Sequence, residues 1–507
     1  MSRPKLTETQ RRFLNHPTML ALRDELRRFA LEPMEWSALL SDIEQYEATG
    51  ESLAARRVAE RIQRLALSPV AERQRLGEHL AMCYRNANMR VAASADFLNR
   101  LIPERPAEFD CVDDCVLGRR VRGHSVTSTE VKVRLVPDAE KLRAALQIDG
   151  LVSSLTRSSS GPARFLNTNQ STYSAWKEVE IGPGGMNILP AQVCVHSDLR
   201  LHGLSTDFDG LPLVGAIVQE MARSGHESRR GEANAEIEGK VYARAKAQVD
   251  AEADARLGEL ARRIEQRLVG PLADLSLGPK VISAETTEQR VVLRVRLAAD
   301  DQLGGHTPRP MAPADCLASV QVHESALTNV VGRMQIDGGT FTLSELRRRI
   351  AERFNRPESN PQDADEEDLT LTFAPRNAAR VRCVDGKVVL TVAIAKLVRE
   401  GQVYEDFQVR AVYTPQARGL VAELVRDDVI HLSGPRLNTR SQIALRGIFS
   451  KAFSKHKPWQ LLPDRITQDS RMAGLAVTQL VVEDGWLGIA VGPKRDAVPA
   501  TARRSGG

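Results

Sequence analysis

Residues 233–269 read ANAEIEGKVYARAKAQVDAEADARLGELARRIEQRLV. Ile237, Val241, Ala245, Val249, Ala253, Leu257, Leu260, Ile264 and Leu268 recur mostly at spacings of four. Four exceeds the 3.6 residues of a helical turn, so the apolar stripe drifts around the axis. Much of the stripe is alanine, which lets a helix lie close against a sheet. Gly270-Pro271 reads as its end signal. A helix of this length with one apolar stripe needs a large surface to cover it. Strand-like sequence on both sides supplies one.

Upstream, Met89–Ala93 reads as a short strand, and Ser94 caps a helix with Phe97, Leu98 and Leu101 that stops at Pro103. Val131, Val133 and Leu135 alternate with Lys132 and Arg134, as in a half-buried strand. Leu151 to Leu166 and Thr172 to Ile181 are further strands, broken at Ser158-Ser159-Ser160-Gly161-Pro162 and at Gly182-Pro183-Gly184-Gly185. Val193 to Leu204 alternates again.

Downstream, Val291, Leu293, Val295 and Leu297 form one strand face. Residues 317–322 read as a strand and 324–334 as a helix. Thr342 and Glu345 form a capping box for a helix reaching Asn355. Pro357 to Asp368 is an acidic linker. Leu369, Leu371 and Phe373 share a strand face. Asp385-Gly386 and Asp484-Gly485 are two-residue hairpin turns, and Val403–Tyr413 pairs with Gly419–Arg426. Thr439 and Gln442 cap a basic amphipathic helix carrying Leu445, Ile448, Phe449, Ala452 and Phe453. Its apolar face suits packing on a sheet, with a membrane surface as the alternative.

Residues 8–87 read as helices. Their stripes are Leu20, Leu22, Leu26 and Phe29; Leu39, Leu40 and Ile43; Val58, Ile62 and Leu65; and Leu76, Leu80 and Met82. Such short stripes bury little area, so these helices need the β-rich body or another copy to pack on. The expected class is α+β: a helical N-terminal arm, then twisted antiparallel sheets packed on one long helix. The expected divisions are a helical arm at 1–87, a β-rich region ending in the long helix at 88–275, a second α+β region at 276–492 and a disordered tail at 493–507. Val91 to Asn99 echoes Val320 to Asn329, each a strand followed by a helix start.

Composition narrows the function. Lys+Arg exceeds Asp+Glu only by 70 to 65, and the charges are interspersed. With 12 Phe, 6 Tyr and 4 Trp, repeated stacking platforms are lacking, so nucleic acid is not an expected partner. No apolar run reaches membrane-spanning length. Met1-Ser2-Arg3-Pro4-Lys5 leads into polar residues, so no secretory signal is expected in the sequence as written. Cys111 and Cys115, spaced C-x3-C with no second pair, are a poor zinc signature; a bond between them stays open.

The catalytic strings are isolated. Asp207-Phe208-Asp209-Gly210 is like the D-x-D-G-T of haloacid-dehalogenase phosphatases, but Leu211 replaces the threonine and no βαβ series surrounds it. It reads as a turn before Pro212. His196, Asp198, Arg200 and His202 lie two apart and share a strand face, which suits a solvated face better than a metal site. Ser174-Ala175-Trp176-Lys177 matches S-x-x-K without the other motifs of penicillin-recognising enzymes. No catalytic residues, cofactors or metals are expected.

Tyr84-Arg85-Asn86-Ala87-Asn88 with Leu98-Asn99-Arg100-Leu101, and Leu303 through Thr307-Pro308-Arg309-Pro310 to Asn329, resemble a poorly characterised planctomycete-type group of bacterial proteins. The plan of a long helix among twisted antiparallel strands over residues 88–490 is similar to that of tubular lipid-binding (BPI-like) domains. That resemblance implies a non-enzymatic binding or scaffolding protein of the periplasm or cell envelope, holding a hydrophobic or lipid ligand. The alternative is a structural protein that assembles with itself or a partner through residues 1–87. The third is a phosphatase-like hydrolase using Asp207 and Asp209.

Overall fold

The structure, a computed structural model, describes residues 10, 13–14, 16–29, 34–182, 185–264, 266, 270–353 and 369–494. It is α+β. The strands are β1 (Met89–Ser94), β2 (Glu108–Val116), β3 (Arg119–Leu135), β4 (Leu142–Ser160), β5 (Ala163–Gly182), β6 (Gly185–Ile188), β7 (Gln192–Thr206), β8 (Lys280–Thr286), β9 (Arg290–Arg296), β10 (Ala318–His323), β11 (Thr340–Thr342), β12 (Leu369–Phe373), β13 (Ala379–Val384), β14 (Lys387–Arg399), β15 (Gln402–Arg418), β16 (Val421–Arg426), β17 (His431–Ser433), β18 (Trp459–Gln460), β19 (Leu475–Glu483) and β20 (Trp486–Pro493). The expected divisions at 87, 275 and 492 follow changes of pattern. Contact groups the chain differently, into one unit of Met1–Ala92, Ile264–Ser283 and Leu293–Gly507, and a second of Ala93–Arg263 and Ala284–Val292.

The second unit is built on an antiparallel sheet ordered β2-β3-β4-β5-β6, with β7 also on β5. β4 and β5 pair without a break from Leu142↔Ile181 to Ser160↔Ala163. Gly161, at φ 58, makes the turn. The long helix, Arg230–Ile264, packs on this sheet. Ala245, Val249 and Ala253 are buried, and Val249 sits among Ile148, Tyr173 and Ala175. Val241 packs against the same cluster. The side chains of Leu257, Leu260, Ile264 and Leu268 lie outside the described residues. Gly270-Pro271 opens a short helix, Gly270–Asp274; residues 265 and 267–269, where the long helix was expected to end, lie outside the described residues. A second helix, Pro212–Ser228, precedes the long one where only a turn was expected.

Side chains of the long helix fasten both edges of the sheet. On the β7 side, Ser197 N–H donates to Glu238 at 2.9 Å and Leu199 N–H to Asn234 at 3.0 Å. On the β2 side, Leu117 N–H donates to Glu236 at 2.8 Å, and Lys240 Nζ bonds Asp114 at 2.9 Å. An open sheet edge exposes unpaired backbone groups; here one helix satisfies groups on two of them and closes the sheet into a tube. Lys177, buried on the inner face, bonds Asp250 and Asp254 of the same helix, each at 2.9 Å.

After helix Pro17–Phe29, the first unit has three packed helices, Trp36–Thr49, Ser52–Ala66 and Ala71–Tyr84. Val58, Ile62 and Leu65 are buried as the spacing predicts, but Leu22, Leu26, Leu40, Leu76 and Met82 are exposed. Gly50 ends the first helix at φ 64, and its N–H donates to Tyr46 O. Gly77 is required where two helices cross, because a Cβ there would lie 2.6 Å from Ala66 N. The apolar faces of the first two helices, Tyr46, Ala54, Val58, Ala59 and Ile62, close over Leu303.

An eight-stranded sheet, β11-β12-β14-β15-β16-β18 with β13 on β14 and β17 on β15, holds the largest apolar core. Helix Thr439–Ala452 packs into it through Leu445, Ile448 and Phe449, so this basic helix is a packing helix. Its cap is Asn438, not Thr439, because the Asn438 side chain accepts Ser441 N–H at 2.8 Å. The other sheet is ordered β19-β20-β10-β1-β9-β8. The hairpin turns fall as read, at Asp385-Gly386 and Asp484-Gly485, with all four residues at positive φ. The acidic linker and most of the tail lie outside the described residues; Pro493 is still paired, with Leu475.

The two echoing segments lie side by side as β1 and β10, each followed by a helix. Both helices clamp a neighbouring strand or loop through an asparagine. Asn99 Nδ2 donates to Val133 O at 3.0 Å, and Asn329 Nδ2 donates to Leu297 O and Leu303 O at 2.9 Å. The stretches at 84–88 and 303–329 also meet. Gly304 N–H donates to Tyr84 O, and the Tyr84 ring stacks on His306 with centroids 5.9 Å apart. Asn88, fully buried, donates to Ser325 Oγ. His323 sits beneath these groups, its Nδ1 accepting Ser325 N–H at 3.1 Å and its Nε2 3.1 Å from Thr307 Oγ1. Burial, then the charges of His306 and Arg382, push its pKa down to about 3.

Candidate functional site

Inward-facing positions of β5 are the odd ones, Phe165, Asn167, Asn169, Ser171, Tyr173, Ala175, Lys177 and Val179, all buried. In a half-buried strand these should be apolar. Three in the middle are not. Register extends the anomaly across the sheet. Asn167 is opposite Thr156, and Asn169 is opposite Ser154, which is opposite Ser125. Ser171 faces Ser197, their hydroxyls 2.5 Å apart. A polar band thus crosses the inner wall of the tube.

Facing the band is a cavity of about 160 Å³. Its remaining walls are Val112, Val116, Val121, Val152, Leu199, Ile237 and Val241, with Gly225 and His226 contributed by helix Pro212–Ser228. Further along β5 the Tyr173 ring lies over Gly150, 2.1 Å from where a Cβ would stand, so only glycine fits there. Toward the other end the His226 ring stacks on Phe165, centroids 5.3 Å apart, and its Nε2 lies 2.9 Å from Asn167 Oδ1. Burial, then the Arg119 charge, hold the His226 pKa below its ordinary value.

Asn169 is the unusual member. Its Nδ2 donates to Ser171 Oγ at 2.8 Å, while its buried Oδ1 has no partner. Turning the amide over leaves the nitrogen unpartnered instead, so one buried polar end is unsatisfied either way. A buried polar group left unpaired costs about 1–3 kcal/mol. Five cations line the same cavity, Arg119, Arg229, Arg230, Lys240 and Arg244, against one carboxylate, Asp114. Asp114 is engaged by Lys240, and Arg230 by Asp198. The arrangement can hold an apolar group against the valines, hydrogen-bond a polar group at the band, and attract negative charge.

The strings singled out in the sequence lie elsewhere. Asp207 pairs with Arg164 at 3.0 Å. Asp209 accepts bonds from the Thr206 hydroxyl, Thr206 N–H and Gln219, which hold its pKa below the usual range. The two are turn residues that start helix Pro212–Ser228. His196, Arg200 and His202 are exposed on β7, opposite buried Ser197 and Leu199. Ser174 and Lys177 are three apart on β5 and point to opposite faces; Ser174 donates to Asp149 and Lys177 to the long helix. Cys111 and Cys115 are free thiols. Among the described residues no group of three metal-ligating side chains occurs, and no helix is long and apolar enough to cross a membrane.

The sequence reading missed every residue of the polar band. The available signal was the conflict inside 163–179, where strand-like ends flank Asn167-Thr168-Asn169-Gln170-Ser171. No protein-family model and no curated protein matches the chain. Among solved structures, the chain is similar to the crystal structure of a lipopolysaccharide binding protein, at 10% identity and a TM-score of 0.25, over 82% of this chain and 100% of that one.

Proposed function

We propose that the second unit binds a small amphipathic anion in the cavity between the long helix and the sheet, and that the protein acts as a binding protein of the cell envelope rather than as an enzyme. The observation that carries this reading is the unpartnered Oδ1 of Asn169 in the wall of a cavity lined by apolar side chains, hydroxyls and an excess of cations. An apolar filling of the tube would serve stability better, so the band is maintained at a cost that a ligand offsets. The volume suits a small molecule, or the polar end of a larger one, rather than a long acyl chain.

The test has two parts. Protein purified from its own host, examined by native mass spectrometry before and after organic extraction, should carry an extractable amphipathic molecule. Asn169→Leu should lose that molecule while the ligand-free variant melts at the same temperature or higher, gaining roughly 1 kcal/mol. A bare wild-type protein, together with a variant that is less stable, would make Asn169 a structural residue and end the reading.

A second reading rests on Phe13, Leu14, Leu22 and Leu26, exposed in and just before helix Pro17–Phe29. Such a surface favours assembly through the N-terminal helices. Light scattering across a concentration series should then show growth of an oligomer that disappears on removal of residues 1–29. A monomer at all concentrations rejects it.

A further inference from the structure

The geometry points to a membrane-docking face on the second unit: helix Pro212–Ser228 seats its outer stripe on an anionic lipid surface, with a neighbouring arginine groove taking the phosphates. Leu213, Ile217 and Met221 follow at spacings of four and are 84%, 62% and 71% exposed. Val214 on the same side and Leu211 in the preceding turn are exposed as well. The helix therefore shows water an apolar face in addition to the one it buries. Single exposed leucines need no explanation, but a contiguous stripe marks a contact surface.

The turn joins this stripe to a cationic groove. Asp207 N–H donates to Pro162 O at 3.0 Å, and its carboxylate pairs with Arg164. Arg164 lines an open groove on the outer face of the sheet with Arg120, Arg122 and Arg157, over a floor of Leu155 and Leu166. Asp113 is the one carboxylate lining it. Gly215 lets the turn fold tightly onto the helix, since a Cβ there would lie 2.5 Å from Phe208 O. Stripe and groove are thus held together at the β4–β5 turn.

This combination selects the occupant. A second copy docking stripe to stripe would bring two arginine grooves together. An anionic bilayer offers what both parts need, an apolar layer beneath a layer of phosphates. The inference stands independently of the cavity reading, because it requires no ligand inside the tube.

Vesicle co-sedimentation tests it, with full-length protein and vesicles of phosphatidylcholine alone or with added phosphatidylglycerol. The protein should bind the anionic vesicles, and bind the neutral ones about tenfold more weakly or worse. Leu213→Asp with Ile217→Asp should abolish binding, and Arg157→Gln with Arg164→Gln should weaken it about tenfold. All four positions are exposed, so melting temperatures should stay near the wild-type value. Failure of the wild-type protein to bind anionic vesicles overturns the proposal, and so does equal binding to both vesicle types or by the double-aspartate variant. A dimer that the double-aspartate variant dissolves, in a protein that ignores vesicles, overturns it too and makes the stripe a contact between copies.

Discussion

Val249→Asp should destabilise the second unit by about 4 kcal/mol or more. Val249 is fully buried between the long helix and the sheet, in contact with the cluster of Ile148, Tyr173, Ala175 and Ala245. A carboxylate there loses its water and gains no partner within that cluster, one of the few single changes that reach such a magnitude. Tyr242→Asp on the exposed side of the same helix is the control and should stay within about 0.5 kcal/mol. Urea unfolding of both variants decides the matter. Equal midpoints would mean that the helix is not seated on the sheet.

Acid should weaken the first unit well before ordinary carboxylates titrate. His323 is 1% exposed, and its pKa falls from 6.5 to about 3 on folding. The unfolded chain therefore binds this proton between those two values and the folded chain does not. Stability contributed by neutral His323 is complete above pH 6.5 and is lost as the pH falls toward 3. Over the full window the linkage amounts to about 4–5 kcal/mol. His306, also lowered by burial, acts with the same sign. Glu324, beside His323 in sequence and paired with Arg382, has its pKa raised by burial and acts with the opposite sign, starting nearer the carboxylate range. Melting temperature should change little from pH 7.5 to 6.5 and drop from there to pH 5, and His323→Gln should flatten that slope. An unchanged slope in the variant would assign the acid sensitivity to other groups.

Local signals made much of the fold legible. Asp385-Gly386 and Asp484-Gly485 specified their hairpins because a two-residue turn with both residues at positive φ admits few other types. Ser94 specified its helix start, accepting Phe97 N–H at 3.1 Å, because a cap is read within four residues. The long helix was legible because its stripe is buried on one side only. Helix Pro212–Ser228 was legible as well and was missed: Pro212 suits a first helical position, and Leu213, Ile217 and Met221 follow at spacings of four.

The candidate site, by contrast, was illegible. β5 appeared to stop at Leu166 and restart at Thr172 because Asn167, Asn169 and Ser171 put polar residues on its inner face as well as its outer one. The alternation that announces a strand vanishes where the strand departs from core-building. In the same way, Leu22, Leu26 and Leu40 formed good stripes in sequence and are exposed, because periodicity reports that a face is apolar and not what covers it.

The packing of helices 36–66 on Leu303 has a consequence for the order of events on the ribosome. Ala54, Val58, Ala59 and Ile62 emerge early, yet Leu303 is translated roughly 240 residues after Ile62. At about 5–20 residues per second, that delay is on the order of 12–50 s. Unit two, whose main segment is the continuous stretch 93–263, has left the exit tunnel by then and can complete most of its sheet. The nascent helices meanwhile present an uncovered aliphatic surface, which makes them a segment for a chaperone to hold and one where stalled synthesis would lead to aggregation.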